Sequence, residues 1–252
     1  MTAELTKEEL GRRGFVLYQN RTGFRFGTDS VLLAWFTMSL IPRKGPVRIL
    51  ELGSGCGGAA ICLAARLEEQ KADYRMDLVE IDPISCEILK KNIEENKLGS
   101  KVTAYCADIR QMPDAIRNTQ YDIVFANPPY FTEGSGEASS DVRRNSARQG
   151  AEDTLDVFAQ AAASRLIPST GIYAVVIDSA FSGKMTGSFQ DAGINVSRLM
   201  PVFPNHRKDA RIVLMAGRRR DNEETKILPA VYLDDKDRMH EIYEEEHKDC
   251  FI

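Results

Sequence analysis

Short apolar runs alternate along the chain with stretches whose apolar residues recur at helical spacing. Seven runs are continuous enough to predict buried strands, and they lie at 47–52, 76–81, 102–107, 121–126, 171–178, 194–203 and 211–216. The periodic stretches predict helices at 61–70, 83–93, 155–166 and 181–192. Strands that alternate with helices favour an α/β fold. We therefore expect a seven-stranded, mostly parallel sheet with helices on both faces.

Two segments flank this pattern. The first 40 residues contain several aromatic side chains, and we expect a cap or lid that includes a helix from Asp29 to Leu40. Residues 41–220 hold the strands and form the central domain. Residues 221–252 form an acidic C-terminal extension. The chain is thus predicted to be one domain with a small segment at each end.

The charge of the chain is unevenly distributed. The 252 residues carry a net charge of −4, which taken alone disfavours a nucleic-acid partner. The acidic extension holds eleven acidic against four basic side chains, so the remaining 220 residues carry a net charge of +3. Residues 198–220 hold seven basic side chains against one acidic. Such a segment is either solvated surface or a local site for an anionic partner.

Several features bear on the compartment. No stretch reaches the ~18 apolar residues that a membrane span needs, and the N-terminal residues lack the apolar core of a signal peptide. The five cysteines form no CxxC pair, and they lie at positions 56, 62, 86, 106 and 250. We therefore expect a cytoplasmic protein with no disulfide framework and no zinc site.

A glycine-rich turn follows the first predicted strand. Residues 51–58 read ELGSGCGG and lead into a helix. Glycines let a ligand approach the backbone closely, and the N–H groups at a helix start favour a polar or anionic group. This turn occurs in dinucleotide-binding and in S-adenosylmethionine-binding folds, and it also serves as a simple tight turn.

Carboxylates follow the next two predicted strands. Glu80 lies 27 positions after Gly53, where a carboxylate can accept hydrogen bonds from both hydroxyls of a ribose. Asp82 is better placed to cap the following helix. Asp108 and Ile109 follow the third predicted strand. The Asp108 carboxylate either meets an adenine amino group or caps a turn, and the sequence leaves both interpretations open.

The fourth predicted strand is followed directly by Asn127-Pro128-Pro129-Tyr130. Prolines have no N–H group, so their carbonyls are rigid acceptors, and asparagine adds an amide oxygen. Tyr130 and Phe131 offer flat faces for stacking. The set suits a planar substrate with an amino group, whose two hydrogens the Asn127 side chain and the Pro128 carbonyl would accept. A proline-rich turn with an exposed aromatic is the alternative.

In this order, the motifs ELGSGCG, VEID, ADI and NPPY resemble those of class I S-adenosylmethionine-dependent methyltransferases that modify an amino group. The segments FRFGTDSVLLAW at 24–35 and NHRKDARIVL at 205–214 resemble the bacterial tRNA1(Val) adenine-37 N6-methyltransferase family. The resemblance implies a Rossmann-like sheet and S-adenosylmethionine as the cofactor. It places the cofactor against Gly27, Thr28, Asp29, Glu51, Gly53, Ser54, Gly55, Gly57, Glu80, Ile81, Asp108, Ile109 and Asn127.

The resemblance also implies a tRNA substrate, with the catalytic residues Asn127 to Tyr130 holding the target base. The RNA would further contact Phe131, Arg143, Arg144, Arg148, Arg207, Lys208 and Arg211, within a wider basic set that includes 198–220. Residues 132–150 are rich in Gly and Ser and are expected to form a mobile loop. We expect a monomer without a metal ion.

Other functions stay open on the sequence alone. The NPPY motif also fits a protein glutamine methyltransferase, or an amino methyltransferase acting on rRNA or a small molecule. The glycine turn fits a nicotinamide-dependent oxidoreductase, although that enzyme has no use for NPPY. A non-catalytic RNA-binding protein could keep the same fold.

Overall fold

A computed structural model describes residues 4–10, 12, 14–21, 26–42, 45–129, 141–219 and 224–244, without the side chains of 141–152 and 244. The strands are β1 (Leu5–Glu9), β2 (Val16–Asn20), β3 (Val47–Leu52), β4 (Tyr74–Glu80), β5 (Val102–Cys106), β6 (Ile123–Ala126), β7 (Ile172–Asp178), β8 (Asn195–Phe203), β9 (Ile212–Arg218), β10 (Lys226–Ile227) and β11 (Val231–Tyr232). The helices are α1 (Thr28–Leu40), α2 (Gly58–Glu69), α3 (Pro83–Glu95), α4 (Asp114–Arg117), α5 (Asp141–Arg165), α6 (Ser182–Asp191) and α7 (Lys236–Glu244). None of the helices in these ranges combines the length and the apolarity that crossing a membrane requires.

Nine of the described strands form one sheet. Its order is β10-β8-β9-β7-β6-β3-β4-β5, and β11 also pairs with β8. Only β9 runs antiparallel to its neighbours β7 and β8. All seven predicted strands are present, but the predicted count of seven is wrong, because β10 and β11 extend the sheet beyond β8. Two-residue strands are too short to give a periodic pattern in the sequence.

The hydrophobic core lies on both faces of the sheet. Successive residues of a strand point to opposite faces. Ile123 and Phe125 of β6 therefore belong to the buried cluster under α1, α2 and α3, while Val124 and Ala126 belong to the cluster under α5 and α6. Covering both faces is the usual condition for a parallel sheet.

Asn92 of α3 and Asn96, which caps the C-terminal end of α3, hold a hairpin that the sequence did not predict. β1 and β2 pair antiparallel. The Asn92 side chain accepts a hydrogen bond from the Tyr18 N–H and donates to the Tyr18 carbonyl, and Asn96 does the same with Val16. Asn92 Nδ2 also donates to the carbonyl oxygen of Cys56, at 2.8 Å. The hairpin is therefore fixed relative to the glycine turn.

The two flanking segments share the core of the central domain. Leu32, Leu33 and Phe36 of α1 are fully buried in the same cluster as the inner residues of α2. Ile242 of α7 is fully buried there too, and its carbonyl accepts a hydrogen bond from Arg66 of α2. Part of the acidic extension is thus packed as a helix against α1 and α2.

The predicted mobile loop at 132–150 is wrong in its second part. α5 begins at Asp141, so residues 141–150 are helical, while 132–140 lie outside the described residues. The C-terminal half of this helix buries Leu155, Phe158 and Ala162. A helix anchored by packing can extend through a polar segment, because adding residues to an existing helix is easier than starting one.

The expectation of no disulfide is also wrong. Cys86 of α3 and Cys106 at the end of β5 form a disulfide, with their Cα atoms 5.8 Å apart. α3 packs beside β5 and brings together two residues that are 20 positions apart. Neither the number of cysteines nor the absence of a CxxC pair reports such a contact.

Candidate active site

The described residues that were predicted to bind the cofactor and the target amine lie near one edge of the sheet. The carboxyl ends of β6, β3, β4 and β5 lie side by side there. The chain order of the strands reverses between β3 and β6, and ligands of such sheets bind in the crevice at this point. Leu52 and Ala126 are paired at the ends of these two strands. The glycine turn and Asn127 therefore leave the sheet next to each other.

The backbone of the glycine turn needs glycine for two different reasons. Gly53 and Gly55 have φ angles of +67° and +55°, a region that residues with a Cβ rarely adopt. A Cβ at Gly53 would lie 2.9 Å from the ring of Phe158 in α5. At Gly55, no described atom lies within 4 Å of that position. Gly53 is thus required by packing, whereas Gly55 leaves the backbone open to a ligand.

Glu80 joins the end of β4 to this turn. Its side chain is 8% exposed. Oε2 accepts a hydrogen bond from the Gly55 N–H at 2.7 Å, and Oε1 accepts one from the Asp82 N–H at 2.7 Å. A carboxylate oxygen has two lone pairs, so each oxygen can still accept a ribose hydroxyl. Asp82 accepts from the Ser85 N–H and caps α3, which confirms its predicted role.

Glu51, near the end of β3, has a buried carboxylate oxygen without a hydrogen bond to any described residue. The residue is 2% exposed, and among the described residues its Oε2 has no hydrogen-bond partner. Burial raises the pKa of Glu51 well above its ordinary value, hydrogen bonding with Ser54 opposes the shift, and the charge of Glu80 adds to it. A buried charge is costly unless it is paired. The α-ammonium group of S-adenosylmethionine would supply that partner, so these residues fit the cofactor.

Two exposed isoleucines follow the end of β4. Ile81 is 61% exposed and Ile84 is 49% exposed, unlike the buried Ile88 and Leu89 further along α3. The family resemblance predicted Ile81 at the site. Helical periodicity over 83–93 groups Ile84 with Ile88 and Leu89 on one face of α3, but Ile84 does not share their burial. Ile84 lies in the first turn of the helix, beyond the edge of the sheet. Its place beside the helix N-cap was the signal that could have revealed it.

Asp108 follows β5 and is engaged in local contacts. Its Oδ1 accepts a hydrogen bond from the Arg110 N–H at 2.8 Å, and the carboxylate also pairs with the Arg110 guanidinium. Hydrogen bonds from Arg110 lower the pKa of Asp108. The turn cap is therefore confirmed, while the adenine contact stays a prediction. Ile109 packs partly buried against the cluster under α5 and α6.

The N-terminal end of α1 lies beside the glycine turn. A Cβ at Gly58 would lie 2.8 Å from the ring of Phe26 and 3.4 Å from Ser30 Oγ. The predicted site residues 27–29 lie between Phe26 and Ser30 in the chain, so they are close to the turn as well. Burial raises the pKa of Asp29, although the positive charge of Arg211 opposes the shift. Residues 27–29, with Thr28 as the first helical residue, thus lie between the glycine turn and the basic loop after β8.

The segment after β6 leaves the sheet beside the glycine turn. Asn127 is half-buried, Pro128 is buried and Pro129 is exposed. Tyr130 and Phe131 lie outside the described ranges.

Known proteins are similar to this chain over most of its length. A protein-family model described as conserved hypothetical protein 95 matches residues 10–168, more than half of the chain. The tRNA1(Val) (adenine(37)-N6)-methyltransferase of Pectobacterium carotovorum is 30% identical over 223 residues, which cover 86% of this chain and 85% of that protein. The enzyme of the same name from Trichodesmium erythraeum is 31% identical over 206 residues, or 80% of each chain. The chain belongs to the tRNA1(Val) (adenine(37)-N6)-methyltransferase family.

Solved structures agree with this family in fold. A putative class I S-adenosylmethionine-dependent methyltransferase from Listeria monocytogenes has a TM-score of 0.62 at 12% identity, covering 89% of this chain and 74% of that one. The T. thermophilus 16S rRNA N2 G1207 methyltransferase, in complex with AdoMet and guanosine, has a TM-score of 0.58 at 19% identity, covering 87% and 52%. This methyltransferase therefore has the Rossmann-like class I fold and uses S-adenosylmethionine, as the sequence predicted.

The predicted basic residues of this methyltransferase are divided between two edges of the sheet. Arg207, Lys208 and Arg211 line an open pocket of about 600 Å³ at the carboxyl end of β7, on the edge that carries Asn127. Arg218 lies opposite Ile172, the first residue of β7, and so at the other edge. Only part of the segment 198–220 therefore faces the site. Predicted side chains on α5 that lie outside the described set are Arg143, Arg144 and Arg148.

Within the described part of the chain, no group of three or more His, Cys, Asp or Glu side chains is placed to hold a metal ion.

Proposed function

We propose that this methyltransferase transfers the methyl group of S-adenosylmethionine to N6 of an adenine in RNA, namely adenine 37 in the anticodon loop of a tRNA. The names of its relatives support the substrate. The reaction type rests on one observation, the position of Asn127 directly across the switch point from the glycine turn. An amine bound at Asn127 would lie next to a cofactor bound at the turn.

The chain offers a distinct contact to each part of the cofactor. Glu51 would bind the α-ammonium group, and Glu80 would accept the ribose hydroxyls while it holds the turn at Gly55. Ile81 and Ile84 would cover the adenine ring, because both present exposed apolar surface just after β4. When bound, S-adenosylmethionine supplies an electrophilic methyl group on a positively charged sulfur.

Asn127 and Pro128 would orient the target amine. Asn127 Oδ1 and the Pro128 carbonyl oxygen can accept its two hydrogens, which fixes the nitrogen and aims its electron pair away from the adenine ring. The nitrogen becomes positive as the new bond forms, and the two acceptor dipoles stabilise that charge before a proton leaves. Pro128 is buried, so its carbonyl is held by the surrounding packing rather than by solvent.

A single-stranded loop suits this site. The reacting amine must enter a crevice at the sheet edge, so the adenine has to leave its stack. Leaving the stack costs least in an unpaired loop, which fits a nucleotide of the anticodon loop better than one in a duplex.

Methyl transfer to purified RNA and protein pools tests the proposal. We expect the wild-type protein to form N6-methyladenosine in tRNA, detected by mass spectrometry of nucleosides. Asn127→Ala should lower the rate by about 10²- to 10³-fold, the loss seen when one oriented polar group is removed, and keep its affinity for S-adenosylmethionine.

Asn118→Ala is the matched control, because Asn118 is exposed in the turn before β6, at the opposite end of that strand. It should keep full activity. Methyl transfer to rRNA or protein instead of tRNA would contradict the proposed substrate. An active Asn127→Ala variant would contradict the role of the amide.

A further inference from the structure

Three aromatic rings stack beside the basic pocket. Phe203 and Tyr232 are paired across β8 and β11, and their ring centroids lie 5.3 Å apart. The ring of His206 stacks on Tyr232 at 3.7 Å, with 25° between the ring planes. Phe203 and Tyr232 are partly buried, whereas His206 is exposed. The stack thus presents an exposed imidazole ring on a rigid support.

The same loop supplies positive charge. Residues 204–211 connect β8 to β9 and contain His206 together with three basic residues that line the pocket, Arg207, Lys208 and Arg211. Asp178 and Asp209 line it as well, so the pocket keeps one net positive charge. A flat ring next to basic side chains is the combination by which proteins bind single-stranded nucleic acids.

The pocket lies close to the proposed amine-binding residues. Val175 of β7 is paired with Ala126, the residue before Asn127. Asp178 ends β7 three residues further on, about 10 Å along the strand at ~3.3 Å per residue, and neighbouring strands are ~4.8 Å apart. This separation suits a nucleotide close to the one that enters the crevice.

We propose that His206 and this pocket form a second nucleotide subsite, which binds the unpaired nucleotide next to the target adenine. Its base stacks on the exposed face of His206, and its phosphate pairs with Arg207, Lys208 and Arg211. The inference rests on the proposed RNA substrate. A base held in a duplex cannot stack on His206, so the subsite selects a loop with at least two unpaired neighbouring nucleotides.

An anticodon stem–loop RNA with 2-aminopurine beside the target adenine tests the subsite. Wild-type protein should quench its fluorescence, and His206→Phe, which keeps a flat ring, should quench it too. His206→Ala should lose the quenching and raise KM for the RNA about tenfold, the loss expected from one base–ring stack, with kcat and S-adenosylmethionine binding unchanged. Arg75 lies near the amino end of β4, on the opposite edge of the sheet. Arg75→Ala should therefore change neither the quenching nor the KM for the RNA.

Each outcome discriminates. If wild-type protein methylates tRNA while His206→Ala keeps the wild-type KM and quenching, the subsite is wrong and the proposed function stands. If His206→Phe behaves like His206→Ala, ring stacking is not what His206 contributes, and the subsite is wrong again. If wild-type protein methylates no tRNA, both the proposed function and the subsite are wrong. Unchanged melting temperatures exclude unfolding of the variants as the cause.

Discussion

Replacing Glu51 with Gln tests the cofactor site most directly, because it removes a buried charge and keeps the side-chain size. Burial raises the pKa of Glu51 well above its ordinary value. The folded protein then holds the proton more readily than the unfolded chain, whose glutamates titrate near pH ~4.3. Below pH ~4.3, protonated Glu51 contributes its full stability to the folded protein. This contribution is lost as the pH rises through the folded pKa, at about 1.4 kcal/mol per pH unit.

Glutamine does not titrate, so the cofactor-free variant should escape this loss. Near neutral pH we expect Glu51→Gln to be at least as stable as the wild-type protein and less dependent on pH. This is the reverse of the usual effect of changing a buried core residue, which lowers stability.

Cofactor binding should change in the opposite direction. The α-ammonium group needs the ionised carboxylate, and a hydrogen bond to a charged group contributes about 1.5–3 kcal/mol. Its loss corresponds to a Kd for S-adenosylmethionine about 10- to 150-fold higher. Because binding favours the ionised form, wild-type affinity should increase with pH until Glu51 is ionised in the free protein, and binding below that pH should release a proton.

Titration calorimetry in two buffers of different ionisation enthalpy measures both the Kd and the proton release, and thermal melts from pH 5 to pH 8 measure stability. Glu94→Gln is the matched control, since Glu94 is exposed on α3. If Glu51→Gln bound S-adenosylmethionine within twofold of wild type, with the same proton release, the assignment of Glu51 to the ammonium group would be refuted. A lower melting temperature at neutral pH would refute the stability argument.

Two further predictions concern the support of the site. Asn92 is fully buried and makes three hydrogen bonds to the backbone of Tyr18 and Cys56. Asn92→Ala should therefore lower the free energy of unfolding, measured by urea denaturation, by about 2–4 kcal/mol. Asn118→Ala, at an exposed position, should change it little. The disulfide should protect Cys86 and Cys106 from alkylation until a reductant is added, and its reduction should cost about 3 kcal/mol of stability. Alkylation of both residues without reductant, detected by mass spectrometry, would contradict the bond.

The strands that carry the site were predictable because each is a continuous apolar run. β3 spans Val47–Leu52 as predicted, β5 and β7 each differ from the predicted strand by one residue at one end, and β4 starts two residues earlier and ends one residue earlier than predicted. α2 begins at Gly58, three residues before the predicted start. Gly58, Ala59 and Ala60 are small and give no apolar periodicity, so the pattern becomes visible only at Ile61.

Features that depend on contacts between distant segments were not predictable. The β1–β2 hairpin has no strong alternation of its own, and it is held by Asn92 of α3 and by its C-cap residue, Asn96. β10 and β11 exist because β8 offers them an edge. Ile84 was grouped with the buried residues of α3 by helical periodicity. Periodicity identifies one face of a helix, but it does not show which residues along that face are buried.

The two site glutamates show why motif position alone does not assign a role. Both end a parallel strand beside the glycine turn, and both are buried. Glu80 already accepts hydrogen bonds from the N–H groups of Gly55 and Asp82, so it organises the turn before any ligand binds. Glu51 Oε2 has no such partner among the described residues, and the negative charge of Glu80 contributes to the raised pKa of Glu51. A cation brought by the cofactor relieves both the unpaired oxygen and the repulsion, whereas a ribose hydroxyl at Glu51 would leave two buried negative charges side by side. We therefore propose that the ammonium group binds at Glu51 and the ribose at Glu80.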